Sequence, residues 1–162
     1  MTISREKLTE LQTDFYTGPD SQDLIIESKD PFWNWFMENA NPYDLCEEFK
    51  EMFIEEDIIP GNCYGNSTKL AHREGLDYCE GFTKVKGINI FHSFNLFDNC
   101  VIDCTVQNNQ QTFADTNGEI PREYYGVVIP DEFLPTQSTD SQSRDYLNLS
   151  PLIYSYYLHT IP

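Results

Sequence analysis

Hydrophobic positions in the first third of the chain repeat every three or four residues, which is the spacing of helices that pack on a core. Residues 4–17 carry the first such pattern, and a second begins at Pro31, a residue well suited to the first turn of a helix. A third pattern begins after Pro42, and its apolar stripe comprises Leu45, Cys46, Phe49, Phe53 and Ile54. Three helices are therefore predicted before residue 60.

The spacing changes to the alternation of β-strands after one further helix. That helix is predicted to begin near Cys63 and to end before Gly75, because glycine readily adopts the left-handed conformation that stops helices. Two hairpins follow, with strands at residues 76–85, 88–96 and 100–106 and turns at Lys86-Gly87 and Asp98-Asn99. A last strand at residues 124–130 and a short helix after Pro151 complete the predicted elements.

This order of elements predicts an α+β fold, in which the N-terminal helices and the Cys63 helix pack on an antiparallel sheet. The length of 162 residues is that of a single domain. We divide the domain into a helical part at residues 1–59, a core of catalytic type at residues 60–130, and a mobile loop with the C-terminal helix at residues 131–162.

The net charge of −17 restricts the possible partners. Residues 1–60 alone carry fifteen acidic and four basic side chains. Such a chain repels phosphate backbones and anionic lipids, so we expect no binding to nucleic acid or to membranes. Solubility is the simplest role for this charge. Attraction of a basic protein or peptide substrate, and mimicry of a nucleic acid, remain open.

The chain has no apolar run of the ~20 residues that a membrane helix requires, and no apolar export signal follows Met1. We therefore expect a cytoplasmic protein. In that compartment cysteines are usually reduced thiols. The same is expected here of all five, which are Cys46, Cys63, Cys79, Cys100 and Cys104.

Three residues, Cys63, His92 and Asp103, are the strongest candidates for a functional site. A thiol at a helix start, with an imidazole and a carboxylate on neighbouring strands, is the arrangement of a cysteine nucleophile, its base and the group that orients the base. The helix dipole and an imidazolium would both lower the pKa of the thiol. Backbone N–H groups at the helix start, together with the Asn62 side chain, would stabilise an oxyanion.

The pairing of His92 with Asp103 depends on which faces of the strands they occupy. Side chains alternate across a strand, so His92 shares its face with apolar residues, namely Ile88, Ile90, Phe94 and Leu96. We expect this face to pack on the Cys63 helix. A two-residue turn at Asp98-Asn99 places Asp103 within reach of His92, whereas a three-residue turn would place it on the opposite face.

Each of the three residues also has a structural interpretation, because a single cysteine, histidine or aspartate at such a position more often serves a core or a turn. Their combination favours catalysis. A zinc site at His92 with Cys79, Cys100 and Cys104 is disfavoured because no Cys-x-x-Cys pair is present. We expect neither a metal nor a cofactor.

Four segments resemble the core of the transglutaminase-like cysteine-enzyme superfamily, whose fold is papain-like. These segments are Gly61-Asn62-Cys63, residues 78–82, His92-Ser93-Phe94 and residues 101–105. Residues 124–127 are also similar to the closing strand of small bacterial and phage members. The resemblance covers roughly residues 60–130. The sequence departs from the superfamily pattern at Ser93-Phe94, where Ala-Trp is usual, and at Cys104, where proline is usual.

The resemblance implies that Cys63 is a nucleophile, His92 its base and Asp103 the orienting group. It implies a hydrolase or acyltransferase that acts on an amide or a thioester, such as a peptidase, a deamidase or a transglutaminase-like enzyme. Arylamine acetyltransferases are similar too, so the acyl donor remains open. Since the superfamily includes inactive members, the alternative is a catalytically silent, acidic binding or inhibitor protein.

Overall fold

The computed structural model describes residues 3–17, 31–47, 58–136 and 151–162. Within these ranges the helices are α1 (Arg5–Thr17), α2 (Pro31–Asn39), α3 (Cys63–Glu74), α4 (Cys104–Gln107), α5 (Gln110–Phe113) and α6 (Ile153–Thr160). The strands are β1 (Asn41–Leu45), β2 (Asp77–Val85), β3 (Ile88–Phe97), β4 (Cys100–Ile102) and β5 (Glu123–Ile129). This mixture confirms the predicted α+β class. None of the helices described is long and apolar enough to cross a lipid bilayer.

The five strands form a closed barrel in the order β1-β4-β3-β2-β5. Antiparallel pairing joins β2 to β3, β2 to β5, β3 to β4 and β1 to β5. The pair of β1 with β4 is parallel. The prediction of a purely antiparallel sheet is therefore wrong for this pair, because β1 comes from the N-terminal part of the chain and closes the sheet between β4 and β5.

Residues 41–45, predicted to begin a third helix, form β1 instead. Their side chains alternate between half-buried and exposed positions, with Tyr43 and Leu45 turned inward. Pro42 is exposed and is the second residue of this short strand. The helical stripe predicted beyond this point includes Phe49, Phe53 and Ile54, which lie outside the described residues.

An aromatic core joins α2 and α6 to the barrel. Trp33 and Phe36 of α2 pack against Phe82 of β2, with ring centroids 6.1 and 5.8 Å apart. Tyr157 of α6 contacts Phe32 at 5.4 Å. Leu8 and Leu11 of α1 belong to the same buried cluster. The helices predicted at the N-terminus, after Pro31 and after Pro151 are thus confirmed as core-packing elements.

Two glycines allow β2 and β5 to approach each other closely. Gly81 and Gly126 are directly paired, and a Cβ atom at Gly81 would collide with the backbone of Tyr125. A Cβ atom at Gly126 would lie 2.8 Å from the ring of Phe94. Since Gly81 is also the direct partner of His92 on β3, this close approach fixes the wall of the barrel beside the candidate site.

Glu80 is a fully buried carboxylate in the middle of β2. Its Oε1 accepts hydrogen bonds from the Tyr78 hydroxyl and the Leu152 N–H, each at 2.7 Å, and its Oε2 accepts one from the Ile153 N–H at 2.8 Å. Glu80 thereby caps α6, whose own N-cap residue makes no side-chain bond. Burial raises the pKa of Glu80 to about 7, although the three donors act in the opposite direction.

Cys46 and Cys100 form a disulfide, and their Cα atoms are 5.3 Å apart. This bond contradicts the expectation that all five cysteines are reduced thiols. The parallel pairing of β1 with β4 brings the two residues together across 54 positions, a contact that no local pattern reveals. Cys63, Cys79 and Cys104 are free thiols. The cytoplasmic compartment stays a prediction.

Candidate active site

Cys63 is the first residue of α3, and the residues before it shape the helix start. Gly61 adopts the left-handed conformation, with φ of 75°. Asn62 is the N-cap residue, and its Oδ1 accepts a hydrogen bond from the Gly65 N–H at 3.3 Å. Gly75 ends the helix with φ of 66°, as predicted. The Cys63 side chain therefore lies at the positive end of the α3 dipole.

Buried polar contacts fix the orientation of α3. The Asn66 side chain bonds to the backbone N–H and C=O of Ile59, and it donates to Oγ1 of Thr105 in α4 at 2.9 Å. The carbonyl of Ser67 accepts a hydrogen bond from the Asn95 side chain of β3, also at 2.9 Å. Rotation of α3 would leave these buried groups without partners, so Cys63 is held in place relative to β3 and α4.

The face of β3 that meets α3 is not the predicted one. Ser93 and Asn95 contact Ser67 of α3, whereas Phe94, on the face of His92, packs against Tyr124 inside the barrel with ring centroids 4.9 Å apart. The prediction took the Cys63 helix as the simplest cover for an apolar strand face. Closure of the barrel buries that face instead, and the polar face of the strand pairs with polar residues of α3.

His92 nevertheless reaches Cys63 from this position. The ring is almost fully buried, and its Nε2 lies 2.7 Å from Oδ2 of Asp103. The same ring acts on the Cys63 thiol, because its charge and hydrogen bonding lower the pKa of Cys63. Because Nε2 is bonded to Asp103, Nδ1 is the ring nitrogen left for the sulfur. The structure therefore brings together Cys63, His92 and Asp103.

Asp103 lies on the predicted face but not within a strand. Asp98 and Asn99 both have positive φ angles, and Phe97 pairs with Cys100, so the turn has the two residues on which the prediction depends. The predicted strand at residues 100–106 is wrong beyond Ile102. There Asp103 becomes the N-cap of α4, with Oδ1 accepting the Val106 N–H at 3.1 Å, because an aspartate in this position stabilises a helical turn.

Opposing influences set the ionisation of the thiol and the imidazole. Burial acts against a thiolate at Cys63, but the charge and hydrogen bond of His92 and the hydrogen bonds of Ser93 outweigh it, so the pKa of Cys63 is lowered. Burial also acts against an imidazolium, yet Asp103 and the Cys63 sulfur hold the pKa of His92 well above its ordinary value. Both shifts act in the direction of a thiolate–imidazolium pair.

The two other free thiols have the opposite character. Burial raises the pKa of Cys79 well above its ordinary value and raises that of Cys104 to about 12. Both side chains are essentially fully buried, whereas Cys63 is partly exposed. Among the residues placed by the structure, no group of three or more His, Cys, Asp or Glu side chains is arranged to hold a metal ion. Cys63 is thus the thiol suited to nucleophilic chemistry.

Two contributors to the site were not predicted from the sequence. Ser93 stabilises the Cys63 sulfur through both its N–H and its side chain. Tyr124 of β5 donates its hydroxyl to Oδ2 of Asp103 at 2.9 Å. Ser93 follows His92 directly, so its proximity could have been inferred. Tyr124 lies 21 positions beyond Asp103, and only the closed barrel brings the two together.

Asn62→Ala is expected to lower the free energy of unfolding by about 1 kcal/mol, because the Gly65 N–H loses its acceptor. Asn62→Ser keeps a capping oxygen and removes the amide donor, so it should retain the stability of the wild type. Chemical denaturation measures both effects. The oxyanion role of the Asn62 amide stays a prediction, and a tenfold slower acylation of a fully stable Asn62→Ser protein would support it.

The α3 start also supplies backbone donors. The first intrahelical hydrogen bond runs from the Asn66 N–H to the Asn62 carbonyl, so the N–H groups of Cys63 and Tyr64 precede the helical ladder and point towards its N-terminal end. An acidic thiol, an imidazolium and these N–H groups can together attack a carbonyl carbon and stabilise the resulting oxyanion.

Comparison of the chain with protein-family models, with curated proteins and with solved structures gave no match.

Proposed function

We propose that the protein is a cysteine-nucleophile hydrolase or acyltransferase that acts on an amide or a thioester through an acyl-enzyme at Cys63. The observation that carries this proposal is the position of His92, whose buried ring bonds to the Asp103 carboxylate and lowers the pKa of Cys63 at the start of α3. This is the arrangement in which a base is oriented by one partner and activates the other.

The reaction would start from the thiolate–imidazolium pair. The Cys63 sulfur forms a bond to the acyl carbon, the bond to the leaving group breaks, and the leaving group takes a proton from His92. Water or an amine then attacks the thioester and gives a proton back to His92, while the Cys63 thiolate leaves. Asp103 keeps Nδ1 of the ring directed at the sulfur throughout and stabilises the imidazolium.

The order of the three residues supports a transglutaminase-like enzyme within this class. The candidate nucleophile lies at a helix start, the candidate base on the second strand that follows, and the candidate orienting group at the end of the next strand. The departures at Ser93 and Cys104 remove none of these three groups. The net charge of −17 favours a basic protein or peptide as the substrate.

Selective reaction of Cys63 tests the proposal. In the folded protein, iodoacetamide at pH 6 is expected to alkylate Cys63 much faster than Cys79 or Cys104, whose pKa values are raised by burial. The rates are measured by peptide mass spectrometry, with the two buried thiols as references inside the same molecule. In a separate experiment on unalkylated protein, an activated acetyl ester should leave one acetyl group on Cys63 and none on a Cys63→Ala protein.

Two outcomes would decide against the enzyme. A Cys63 thiol that ionises at the ordinary pKa of a cysteine, near ~8.5, would show that His92 does not activate it. The second outcome is a Cys63 thiol that has a lowered pKa but is not acylated by ester, thioester or amide probes. This result would favour the catalytically silent binding protein. In that case the acidic surface would be the functional feature.

A further inference from the structure

The Tyr124 side chain is fully buried in β5 and ends at the candidate site. Its hydroxyl donates to Oδ2 of Asp103 at 2.9 Å, and the same oxygen lies 2.7 Å from Nε2 of His92. Burial and the nearby Asp103 carboxylate raise the pKa of Tyr124 well above its ordinary value. The hydroxyl therefore keeps its proton at neutral pH and acts as a donor.

The position of this hydroxyl is fixed by the barrel. The backbone of Tyr124 is paired on one side with Thr83 of β2 and on the other with Tyr43 of β1. Its ring packs edge-to-face on Phe94, two residues after His92, with centroids 4.9 Å apart. Because the backbone is paired on both sides and the ring packs on Phe94, the hydroxyl cannot move without disturbing the core.

Asp103 is held from two directions as a result. Oδ1 accepts the Val106 N–H at 3.1 Å, and Oδ2 accepts both the Tyr124 hydroxyl and the His92 ring N–H. Without Tyr124, a backbone N–H would hold one oxygen of the carboxylate, and only the imidazole that the carboxylate has to orient would hold the other. Tyr124 supplies the second fixed donor that defines the plane of the carboxylate.

We propose that Tyr124 is a positioning residue of the candidate site, which acts by fixing the Asp103 carboxylate and thereby the orientation of the His92 ring towards Cys63. This inference rests on the proposed function. It adds the closing strand β5 to the site, which would then combine residues of α3, β3, the end of β4 and β5. Tyr124 acts on the site through Asp103.

The test is Tyr124→Phe, which retains the ring and its contact with Phe94 and removes only the donor. The expected result is an upward shift, by about half to one pH unit, in the midpoint of Cys63 alkylation. Acylation of Cys63 at pH 6 should slow by about tenfold, the loss that corresponds to one hydrogen bond to a charged group. A merely structural role would lower thermal stability without moving the midpoint.

Two companion proteins isolate the effect of the hydroxyl. Tyr125→Phe changes the neighbouring, half-buried tyrosine, whose ring contacts Lys7, and should leave the midpoint unchanged. Incorporation of 3-fluorotyrosine at position 124 keeps both ring and hydroxyl and should retain the wild-type midpoint, even if Tyr124→Phe folds poorly. A folded Tyr124→Phe protein with an unchanged or lowered midpoint would overturn the inference.

These results are separable from a failure of the proposed function. If wild-type Cys63 shows ordinary thiol reactivity, the enzyme proposal itself is wrong and no midpoint shift can be sought. If the wild-type thiol is acidic and depends on His92, while Tyr124→Phe leaves its midpoint where it was, only the role assigned to Tyr124 is lost.

Discussion

His92→Gln is expected to raise the pKa of Cys63 from below the ordinary cysteine value to above it and to slow acylation by about a hundredfold to ten-thousandfold. The sign follows from the influences on the thiol: burial opposes ionisation and is outweighed mainly by the charge and the hydrogen bond of His92. Without the imidazole, burial is the main remaining influence, and it raises the pKa of Cys63. The loss in rate is that expected when a general base and acid is removed.

Glutamine is the suitable replacement because its amide can still donate to Asp103, so the buried carboxylate keeps a partner and the fold is preserved. The pH dependence of iodoacetamide alkylation at Cys63 measures the shift, and the burst of acetyl-enzyme from an activated ester measures the rate. His72→Gln is the matched control, because the His72 ring bonds to the Pro135 carbonyl and not to Asp103. An alkylation midpoint that His92→Gln leaves in place would show that His92 does not activate the thiol.

Glu80→Ala is expected to lower the free energy of unfolding by about 3 kcal/mol and to release α6 from the barrel. The substitution leaves the Tyr78 hydroxyl and the N–H groups of Leu152 and Ile153 without their acceptor, and each unsatisfied buried donor costs about 1–3 kcal/mol. Chemical denaturation gives the stability, and hydrogen exchange of residues 151–162 reports α6. Glu123→Ala, at an exposed glutamate of β5, should change stability by less than about 0.5 kcal/mol.

The pH dependence of stability provides a second, signed test at this residue. Burial raises the pKa of Glu80 from 4.5 to about 7, so between these values the folded protein binds a proton that the unfolded chain has released. The stability of the wild type relative to Glu80→Gln should therefore fall by about 3 kcal/mol as the pH rises from 4.5 to 7, and then stay constant. A stability difference that is flat or rises across this window would contradict the burial of an ionisable carboxylate.

Local patterns in the sequence were sufficient to predict the elements that carry the site. The left-handed preference of Gly75 located the end of α3, and the Asp98-Asn99 pair predicted a two-residue turn, which the structure confirms. Since a two-residue turn has a fixed register, the face of Asp103 followed from the sequence alone. What these elements have in common is that neighbouring residues determine their conformation.

The features that were missed depend on contacts between distant residues. Residues 41–45 become β1 because β4 and β5 leave a place for one more strand, and nothing in their own pattern excludes a helix. The polar face of β3 meets α3 because the hydroxyl and the carbonyl of Ser67 offer polar partners there, which the periodicity of β3 cannot reveal. The sequence around Glu80 likewise does not reveal that the N–H groups at the start of α6 donate to its carboxylate.

The face on which Asp103 lies was predicted correctly, whereas its secondary-structure element was not. The β-branched and apolar residues after Cys100 favoured a longer strand. The carboxylate, however, accepts the Val106 N–H and starts α4. Aspartate is a preferred N-cap residue, and this preference determines the local conformation at the point where the strand ends.

The separation of the site residues along the chain has a consequence for the protein during its synthesis. Cys63 leaves the ribosome before His92, Asp103 and Tyr124. Glu80 likewise leaves it before Ile153, whose N–H donates to the Glu80 carboxylate. Until these later residues are in place, the thiol has the ordinary acidity of a cysteine in an unfolded peptide. A nascent chain therefore carries no activated nucleophile, and the chemistry proposed for Cys63 becomes accessible only once the fold is complete.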